Sequence, residues 1–437
     1  MGYLCLGFYI DITMAHTHFR KALAYLSLSI LSFSFLNAQS IRPTHYDEQK
    51  VPVFEAPALL TCDDGSAVTT QRQWERKRRP ELLDLLASQE YGHTPTQRIR
   101  VHHEVVCENP VALEGKATSR QVRFTFKHKN REVEAMLLLF IPNDRKGKVP
   151  VIVSYNFNGN PSTTTETDVL PSPGMAFMGA KAEVTAAGTQ ASRWDYDAII
   201  SRGYAVATMC YNDIYPDKPE LRDHSVVALF DGYHPHEVAP DEWQAIGAWA
   251  WGSSRIADYL LKQRWVDKKH LALMGHSRQG KAALWAGAQD KRFQVIISNE
   301  SGCGGAALSK RCYGETVARI NTSFPHWFCK NFTAYNDKEE LLPFDQHALL
   351  ALIAPRHLYV ASAEGDNWSD QRGEFLGTTL TDEVYALFGM HGLGTTVMPD
   401  IHQPIQHDSG YHIRAGKHDV TSYDWQCYLD FCDKHFR

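Results

Sequence analysis

Polar and apolar positions in the middle of the chain follow the two-residue period of a β-strand. Residues 120–128 (RQVRFTFKH) alternate cleanly, and residues 132–142 (EVEAMLLLFIP) turn from alternating to continuously apolar. A short polar turn separates them, so the pair predicts a hairpin that enters a sheet. Residues 149–157 (VPVIVSYNF) are apolar and β-branched, which is typical of a strand buried on both faces.

Further along, apolar runs of strand length alternate with segments of helical period. This alternation predicts an α/β fold, a three-layer αβα sandwich around a mostly parallel central sheet. A polar entry segment at 39–70 precedes a predicted surface helix at 71–90. We expect a single domain over residues 39–437 with sizeable loop insertions. The remaining predicted strands are 204–211, 271–274, 293–300, 357–364 and 411–414, and the remaining helices are 241–263, 277–290 and 422–436.

The first 38 residues have the pattern of a secretory signal peptide rather than of a folded element. Met14 is followed by a short basic region with Arg20 and Lys21, an apolar run at 22–36 and the small residue Ala38. The run is shorter than the ~20 apolar residues that span a bilayer. The sequence therefore predicts export to the periplasm or out of the cell, with no membrane attachment after cleavage.

Composition and charge exclude several classes of partner. The formal net charge is −5, and the lysines and arginines are scattered, so neither nucleic acid nor an anionic membrane surface is expected as a ligand. Eight of the nine cysteines follow residue 38, an even number that permits disulfides in an exported protein. No C-x-x-C pair occurs, which argues against a zinc ribbon or a thioredoxin-like motif.

The stretch GHSRQGK at 275–281 directly follows the predicted strand LALM and opens a predicted helix. A serine at such a strand–turn–helix junction is exposed above the carboxyl edge of the sheet, where the helix N-terminus favours negative charge. Ser277 is therefore a candidate nucleophile; the alternative is a simple helix N-cap. The common pattern G-x-S-x-G is broken here, because Gln279 replaces its second glycine and Gly280 comes one position late.

A serine nucleophile needs a histidine and a carboxylate, which this fold supplies downstream in the order serine, acid, histidine. The acid has two candidate positions, each at the end of a predicted strand: Glu300, or the pair Glu364 and Asp366. Spacing alone does not choose between them.

The candidate base is His418, in the loop before the last helix, with His412 as the fallback. Further histidines in the same region raise the question of a metal site, but tight helical ligand spacing is absent, so we expect no metal and no cofactor. These additional histidines are His391, His402 and His407.

GHSRQGK resembles the G-x-S-R-x-G-K signature of the glucuronoyl esterases, carbohydrate esterase family 15, in which the glycine stands at +3. The departure from G-x-S-x-G is thus the family's own pattern. The resemblance covers most of the chain after residue 38. It extends over 74–95 (WERKRRPELLDLLASQEYGHTP), 155–161 (YNFNGNP), 249–260 (WAWGSSRIADYL), 298–306 (SNESGCGGA), 320–328 (INTSFPHWF) and 365–370 (GDNWSD).

The resemblance implies the α/β-hydrolase fold and a role for each matching residue. Ser277 would be the nucleophile, His418 the base and Glu300 the acid, with Glu364 or Asp366 able to assist or substitute. Arg278 would help to hold the oxyanion, together with backbone N–H groups such as those of the loop at 155–161. The residues implied to bind the sugar are Lys281, Glu315, Trp368 and Asp366.

The activity implied is hydrolysis of (4-O-methyl-)glucuronic acid esters, as in lignin–xylan cross-links, through a Ser-His-Glu acyl-enzyme mechanism. The expected partner is glucuronoxylan or a lignin–carbohydrate ester, and the protein is expected to act as a monomer. The alternative is another carbohydrate esterase, such as an acetyl xylan esterase, which would not need Lys281, Glu315 or Trp368 to grip a uronic acid.

Overall fold

A sheet of ten strands forms the centre of the computed structural model, which describes residues 41–436. Its strand order is β1-β2-β3-β5-β4-β6-β7-β8-β10-β9. The strands are β1 (Arg100–Ala112), β2 (Ala117–His128), β3 (Arg131–Pro142), β4 (Val149–Asn156), β5 (Ala205–Cys210), β6 (Val266–His276), β7 (Val295–Asn299), β8 (His357–Ala363), β9 (Ile405–Gln406) and β10 (Ser409–Arg414).

The middle of this sheet is parallel and its edges are antiparallel. All neighbouring pairs from β5 through β4, β6, β7 and β8 to β10 are parallel. The strands β1, β2 and β3 form an antiparallel meander that joins the sheet at β5, and β9 pairs antiparallel to β10. The sheet is therefore mixed, and the mostly parallel pattern describes the part that carries the predicted catalytic edge.

The predicted strands and long helices correspond to observed elements, with boundaries that shift by a few residues. The strands β1 and β9 were not predicted. In β1 six of thirteen residues are polar, and all but one are exposed or half-buried. The helices are α1 (Gln71–Gln73), α2 (Arg79–Leu86), α3 (Pro173–Met178), α4 (Ala182–Thr185), α5 (Tyr196–Ser201), α6 (Ala245–Leu260), α7 (Arg278–Gln289), α8 (Val317–Ser323), α9 (Gln346–Ala351), α10 (Gln371–Thr379), α11 (Asp382–Ala386) and α12 (Ser422–Phe436).

The segment predicted as one surface helix at 71–90 is helical but packs closely on the domain. Two π-helical turns, Trp74–Arg78 and Ala87–Tyr91, flank α2, and Trp74, Leu86 and Tyr91 are fully buried. The Tyr91 ring stacks on Trp285 of α7, with ring centroids 4.6 Å apart. The helix that was expected on the surface thus supports the helix that follows Ser277.

Two apolar clusters lie on the two faces of the sheet, as a layered α/β fold requires. The larger includes α6 and α7 together with inward residues such as Val153 and Leu273. The smaller packs α5 and α12 against the opposite face, which presents Ile152 and Met274. Adjacent residues of β4 and of β6 therefore enter different clusters, as the alternation of side chains along a strand dictates.

A compact unit spans Pro43–Arg437. The signal peptide predicted for residues 1–38 lies outside the described residues. Within the described part of the chain, no helix has the length and apolar character needed to cross a membrane. The eight cysteines after residue 38 are free thiols, seven of them buried and Cys107 half-buried.

Candidate active site

Ser277 occupies a strained turn between β6 and α7. Its backbone has φ 57° and ψ −129°, a conformation that L-residues adopt at a cost of about 1–3 kcal/mol. The turn is anchored to the next strand, because the Ser277 N–H donates to the Asn299 carbonyl at 2.9 Å. Ser277 is not a conventional N-cap, since its side chain makes no capping hydrogen bond to the helix. Backbone strain at a hydroxyl above the carboxyl edge of a parallel sheet is typical of a hydrolase nucleophile.

The glycines at 275 and 280 are explained by close backbone contacts around this turn. A Cβ on Gly275 would lie 1.9 Å from the Gln279 carbonyl oxygen, and one on Gly280 would lie 2.9 Å from Cβ of Ser301. The helix thus needs its glycine at +3, where it passes the segment after β7. Gln279, at +2, is buried, and its Oε1 and Nε2 have no hydrogen-bond partner among the described residues.

Two carboxylates contact the same ring nitrogen of His418. Its Nδ1 lies 2.6 Å from Oδ2 of Asp366 and 3.0 Å from Oε2 of Glu300. The two acids follow β8 and β7 respectively, and the parallel strands bring their ends to the same edge. The acid positions that the sequence left as alternatives therefore both contact the histidine, and Asp366, implied as a sugar contact, also orients this ring.

Arg414, at the end of β10, holds Glu300 and the loop that carries His418. Its Nη2 donates to Oε1 of Glu300 and to the Asp419 carbonyl, each at 2.6 Å, and its Nε donates to Oδ2 of Asp424 at 2.8 Å. The Asp419 N–H in turn donates to Oε2 of Glu300 at 3.1 Å. Sequence reasoning missed Arg414; the signal was an arginine at the end of an apolar strand, where an unpaired charge would be costly.

Burial and hydrogen bonding shift the pKa values of these three groups in different directions. Burial raises the pKa of Glu300 to about 7, in spite of its contacts with His418 and Arg414. Burial opposes the charged form of His418, but the bonds to Asp366 and Glu300 outweigh it and raise that pKa to about 9. For Asp366 burial is likewise outweighed by the His418 bond, so its pKa is lowered.

The fallback candidates lie away from this arrangement. His412 is fully buried and directs Nε2 to Oδ1 of Asp424 at 2.9 Å. Its Nδ1 lies 2.9 Å from the Tyr359 hydroxyl, so both ring nitrogens are engaged in the interior. Glu364 is exposed, and the carboxylate that lines the cavity beside His418 is that of Asp366.

The other loop histidines are also engaged elsewhere. His407 pairs through Nδ1 with the Leu393 carbonyl at 2.8 Å, and Nε2 of His402 accepts from the Ala415 N–H at 3.2 Å. His391 is exposed. Among the described residues, three side chains of types that can bind a metal lie together, with ligand atoms within 4.8 Å of one another: His276, Glu300 and His418. The hydrogen bonds of Glu300 to Arg414 and of His276 to Asn299 already engage two of these three.

A cavity of about 320 Å³ opens beside Ser277 and His418. Its lining includes the eight residues to which the resemblance gave a first-choice catalytic or sugar-binding role, and excludes the alternatives Glu364 and His412. Its lining comprises Ser277, Arg278, Lys281, Glu300, Ser301, Glu315, Phe324, Trp327, Asp366, Trp368, Ser369 and His418.

The polar groups of this cavity are charged and largely desolvated. Nζ of Lys281 donates to the Ser301 and Cys303 carbonyls and lies 3.7 Å from Oε2 of Glu315. Burial raises the pKa of Glu315, against the opposing charge of Lys281. Trp368 differs from both, because 41% of its surface is exposed. A buried acid–base pair beside an exposed indole is suited to bind a ligand with several hydroxyls and an apolar face.

An α/β sheet with a strained serine at its carboxyl edge and a carboxylate-bound histidine in the same cavity defines a serine hydrolase. A family profile described as "Glucuronyl esterase, fungi" matches residues 196–389. Carbohydrate esterase MZ0003, from an unknown prokaryotic organism, is 41% identical over 403 residues, which cover 90% of this chain and 92% of that protein.

Two further comparisons agree. The solved structure of the glucuronoyl esterase from Solibacter usitatus superposes on this chain with a TM-score of 0.83 and 44% sequence identity. The match covers 89% of this chain and 100% of that chain. The 4-O-methyl-glucuronoyl methylesterase of Schizophyllum commune is 26% identical over 76% of this chain and 74% of that protein. The chain belongs to the glucuronoyl esterases, carbohydrate esterase family 15.

Proposed function

We propose that the chain hydrolyses esters of (4-O-methyl-)glucuronic acid with Ser277 as nucleophile and His418 as general base. The observation that carries the assignment is that His418 lines the same cavity as Ser277 while its Nδ1 contacts Glu300 and Asp366. A base held in this way presents its other nitrogen, Nε2, for proton transfer. Glu300 and Asp366 together take the role of the acid.

The reaction proceeds by acyl transfer in two stages. His418 Nε2 accepts the proton of the Ser277 hydroxyl as Oγ bonds to C6 of the uronate, and the carbonyl electron pair moves onto oxygen. The tetrahedral intermediate collapses, the C6–alkoxyl bond breaks, and His418 returns the proton to the leaving alcohol. Water then attacks C6 of the acyl-enzyme while His418 takes its proton. The C6–Oγ bond breaks and His418 returns the proton to Oγ, which releases glucuronate and restores Ser277.

The oxyanion of both intermediates lies between Arg278 and the start of α7. The Arg278 side chain lines the cavity and is 26% exposed, so its charge reaches the reacting carbonyl. Backbone N–H groups at the helix start add to it, because the first turn of a helix has unpaired donors. Each such donor is worth roughly 10²–10³ in kcat in a measured hydrolase.

Three residues of the cavity bind the sugar. Lys281 donates to hydroxyls and Glu315 accepts from them, as their charges and their 3.7 Å separation allow. The half-exposed Trp368 covers a C–H face of the ring. This set fits a pyranose acid ester and would be idle on a simple acetyl group. The proposed substrates are accordingly glucuronoxylan and lignin–carbohydrate esters, cleaved by a monomeric enzyme.

The substrate assignment is tested by comparing hydrolysis of benzyl glucuronate with that of an acetylated xylo-oligosaccharide. We expect the wild-type protein to cleave the uronate ester far faster, and Ser277→Ala to abolish both activities. Activity confined to the acetyl ester would replace the proposed function by that of an acetyl xylan esterase. Full activity of Ser277→Ala would disprove the nucleophile.

We also propose that residues 1–38 are a secretory signal peptide and that residues 39–437 form the exported esterase domain. The basic start and the apolar run at 22–36 support this proposal. Expression of the full chain in a Gram-negative host, followed by fractionation and intact mass, tests it. A cytoplasmic protein that retains residues 1–38 would contradict it.

A further inference from the structure

Asp217 is a buried carboxylate beside the cavity that the mechanism above does not use. It follows the short turn after β5, and its side chain is 4% exposed. Four donors converge on its two oxygens. Oδ1 accepts from His326 Nε2 and from Trp327 Nε1, each at 2.8 Å, and Oδ2 accepts from the Tyr211 hydroxyl at 2.9 Å and from Nη1 of Arg278.

Arg278 depends on Asp217 for its orientation. The Asp217 carboxylate is its ion-pair partner, and its Nε has no hydrogen-bond partner among the described residues. Aromatic rings also surround it, with the guanidinium carbon 4.7 Å from the ring centroid of Trp327 and 5.2 Å from that of Phe324. Ring faces attract a cation but fix its direction poorly, whereas a charge-assisted hydrogen bond to Nη1 fixes the position of that end of the guanidinium.

Trp327 is held by the same carboxylate. Its indole N–H is bound to Asp217, and its ring stacks on Phe324 at a centroid distance of 3.7 Å and an interplanar angle of 5°. The Lys281 ammonium lies 5.9 Å from its centroid. Asp217 therefore holds both Arg278, the cation proposed to bind the oxyanion, and the Trp327 ring that Arg278 contacts.

We propose that Asp217 is a positioning residue for the esterase reaction and acts by holding Arg278 at the oxyanion position. The inference rests on the proposed role of Arg278. Bonds from His326 and Trp327 and the charge of Arg278 overcome the burial of Asp217, so the pKa of this carboxyl is lowered to about 2. Asp217 is ionised throughout the range in which an esterase works, and it keeps Arg278 directed without contacting the substrate.

The test is a double-mutant cycle on Asp217→Asn and Arg278→Ala with benzyl glucuronate. We expect Asp217→Asn to lower kcat by roughly 10- to 100-fold with little change in KM, since a misplacement of about 1 Å can cost about 10²-fold. In the Arg278→Ala background the same substitution is expected to change kcat less than about threefold, because the group that Asp217 positions is gone.

Asp213 provides a matched control four positions away. It is 2% exposed and accepts from the backbone N–H groups of Met136 at 3.0 Å and Gly174 at 2.7 Å, contacts that serve the fold. Asp213→Asn is expected to lower the melting temperature while kcat stays near that of wild type. Asp217→Glu, which keeps the charge but displaces the carboxylate, serves if Asp217→Asn folds poorly; it too is expected to lose kcat.

The outcomes separate this inference from the proposed function. Equal losses for Asp217→Asn with and without Arg278, or a wild-type kcat for Asp217→Asn and Asp217→Glu, overturn the positioning role. Arg278→Ala with a wild-type kcat overturns the oxyanion role of Arg278 itself, and the inference falls with it. A slow Arg278→Ala enzyme beside a fast Asp217→Asn enzyme leaves the proposed function intact and refutes only the inference.

Discussion

The two carboxylates at His418 are expected to share one function, so that neither is indispensable alone. Substituting Glu300→Gln or Asp366→Asn keeps the size of each side chain and removes its charge. The remaining acid still accepts from Nδ1 in either variant, because the two oxygens lie 3.0 and 2.6 Å from that atom. The double substitution leaves His418 without an anionic partner.

The magnitudes follow from these contacts. A hydrogen bond to a charged group contributes about 1.5–3 kcal/mol, which corresponds to roughly 10- to 150-fold in rate. Each single substitution is expected to lower kcat/KM by a factor within that range. Asp366→Asn is expected to cost more, since its contact is shorter. Loss of both acids is expected to approach the roughly 10⁴-fold loss that a hydrolase with a single acid shows when that acid is neutralised.

The assay is kcat/KM on benzyl glucuronate for the two single variants and the double variant. Glu374→Gln is the control, because Glu374 is fully buried at the same sheet edge but accepts from the Gly302 N–H and the Ser362 hydroxyl. Burial raises the pKa of Glu374 to about 8, so a neutral amide resembles its state at neutral pH. A 10⁴-fold loss for Glu300→Gln alone, with Asp366→Asn near wild type, would refute the shared role.

The same geometry yields three further expectations. Asp366→Asn should move the acidic limb of the pH profile of kcat/KM to lower pH, because His418 must be neutral to act and the Asp366 bond is a main cause of its raised pKa; an unmoved limb would contradict this. Arg414→Met should lower the free energy of unfolding, measured with urea, by about 3–5 kcal/mol, since Glu300 and Asp424 stay buried without their cation; an unchanged midpoint would argue against that ion network. Trp368→Ala should raise KM about tenfold, which corresponds to a loss of about 1.4 kcal/mol of binding free energy, with little loss of stability. The control Leu380→Ala, at a similarly exposed apolar site, should leave KM unchanged. Equal KM values in both variants would remove Trp368 from the sugar site.

Local pattern was sufficient to predict most of the elements and to single out Ser277 as a candidate nucleophile. The strands at the centre of the sheet are predicted by continuous apolar runs, because both of their faces are buried. GHSRQGK draws attention to Ser277 through its glycines and its flanking cations. Strand β1 was not predicted, since all but one of its thirteen residues are exposed or half-buried and such positions carry little hydrophobic signal. The loop before the last helix favoured His418, but the sequence left His412 as a fallback because a strand pattern does not tell which side chain points to the catalytic edge.

Only the tertiary structure shows which carboxylates contact His418 and which residues support them. Glu300 and Asp366 are 66 positions apart, and they meet at one nitrogen because parallel strands end at one edge. Arg414 and Asp217 lie in segments without a recognisable motif. Each is a buried charge with an oppositely charged partner from a distant part of the chain. Spacing along the chain specifies which residue types are present, whereas long-range strand pairing and desolvation specify which of them act together.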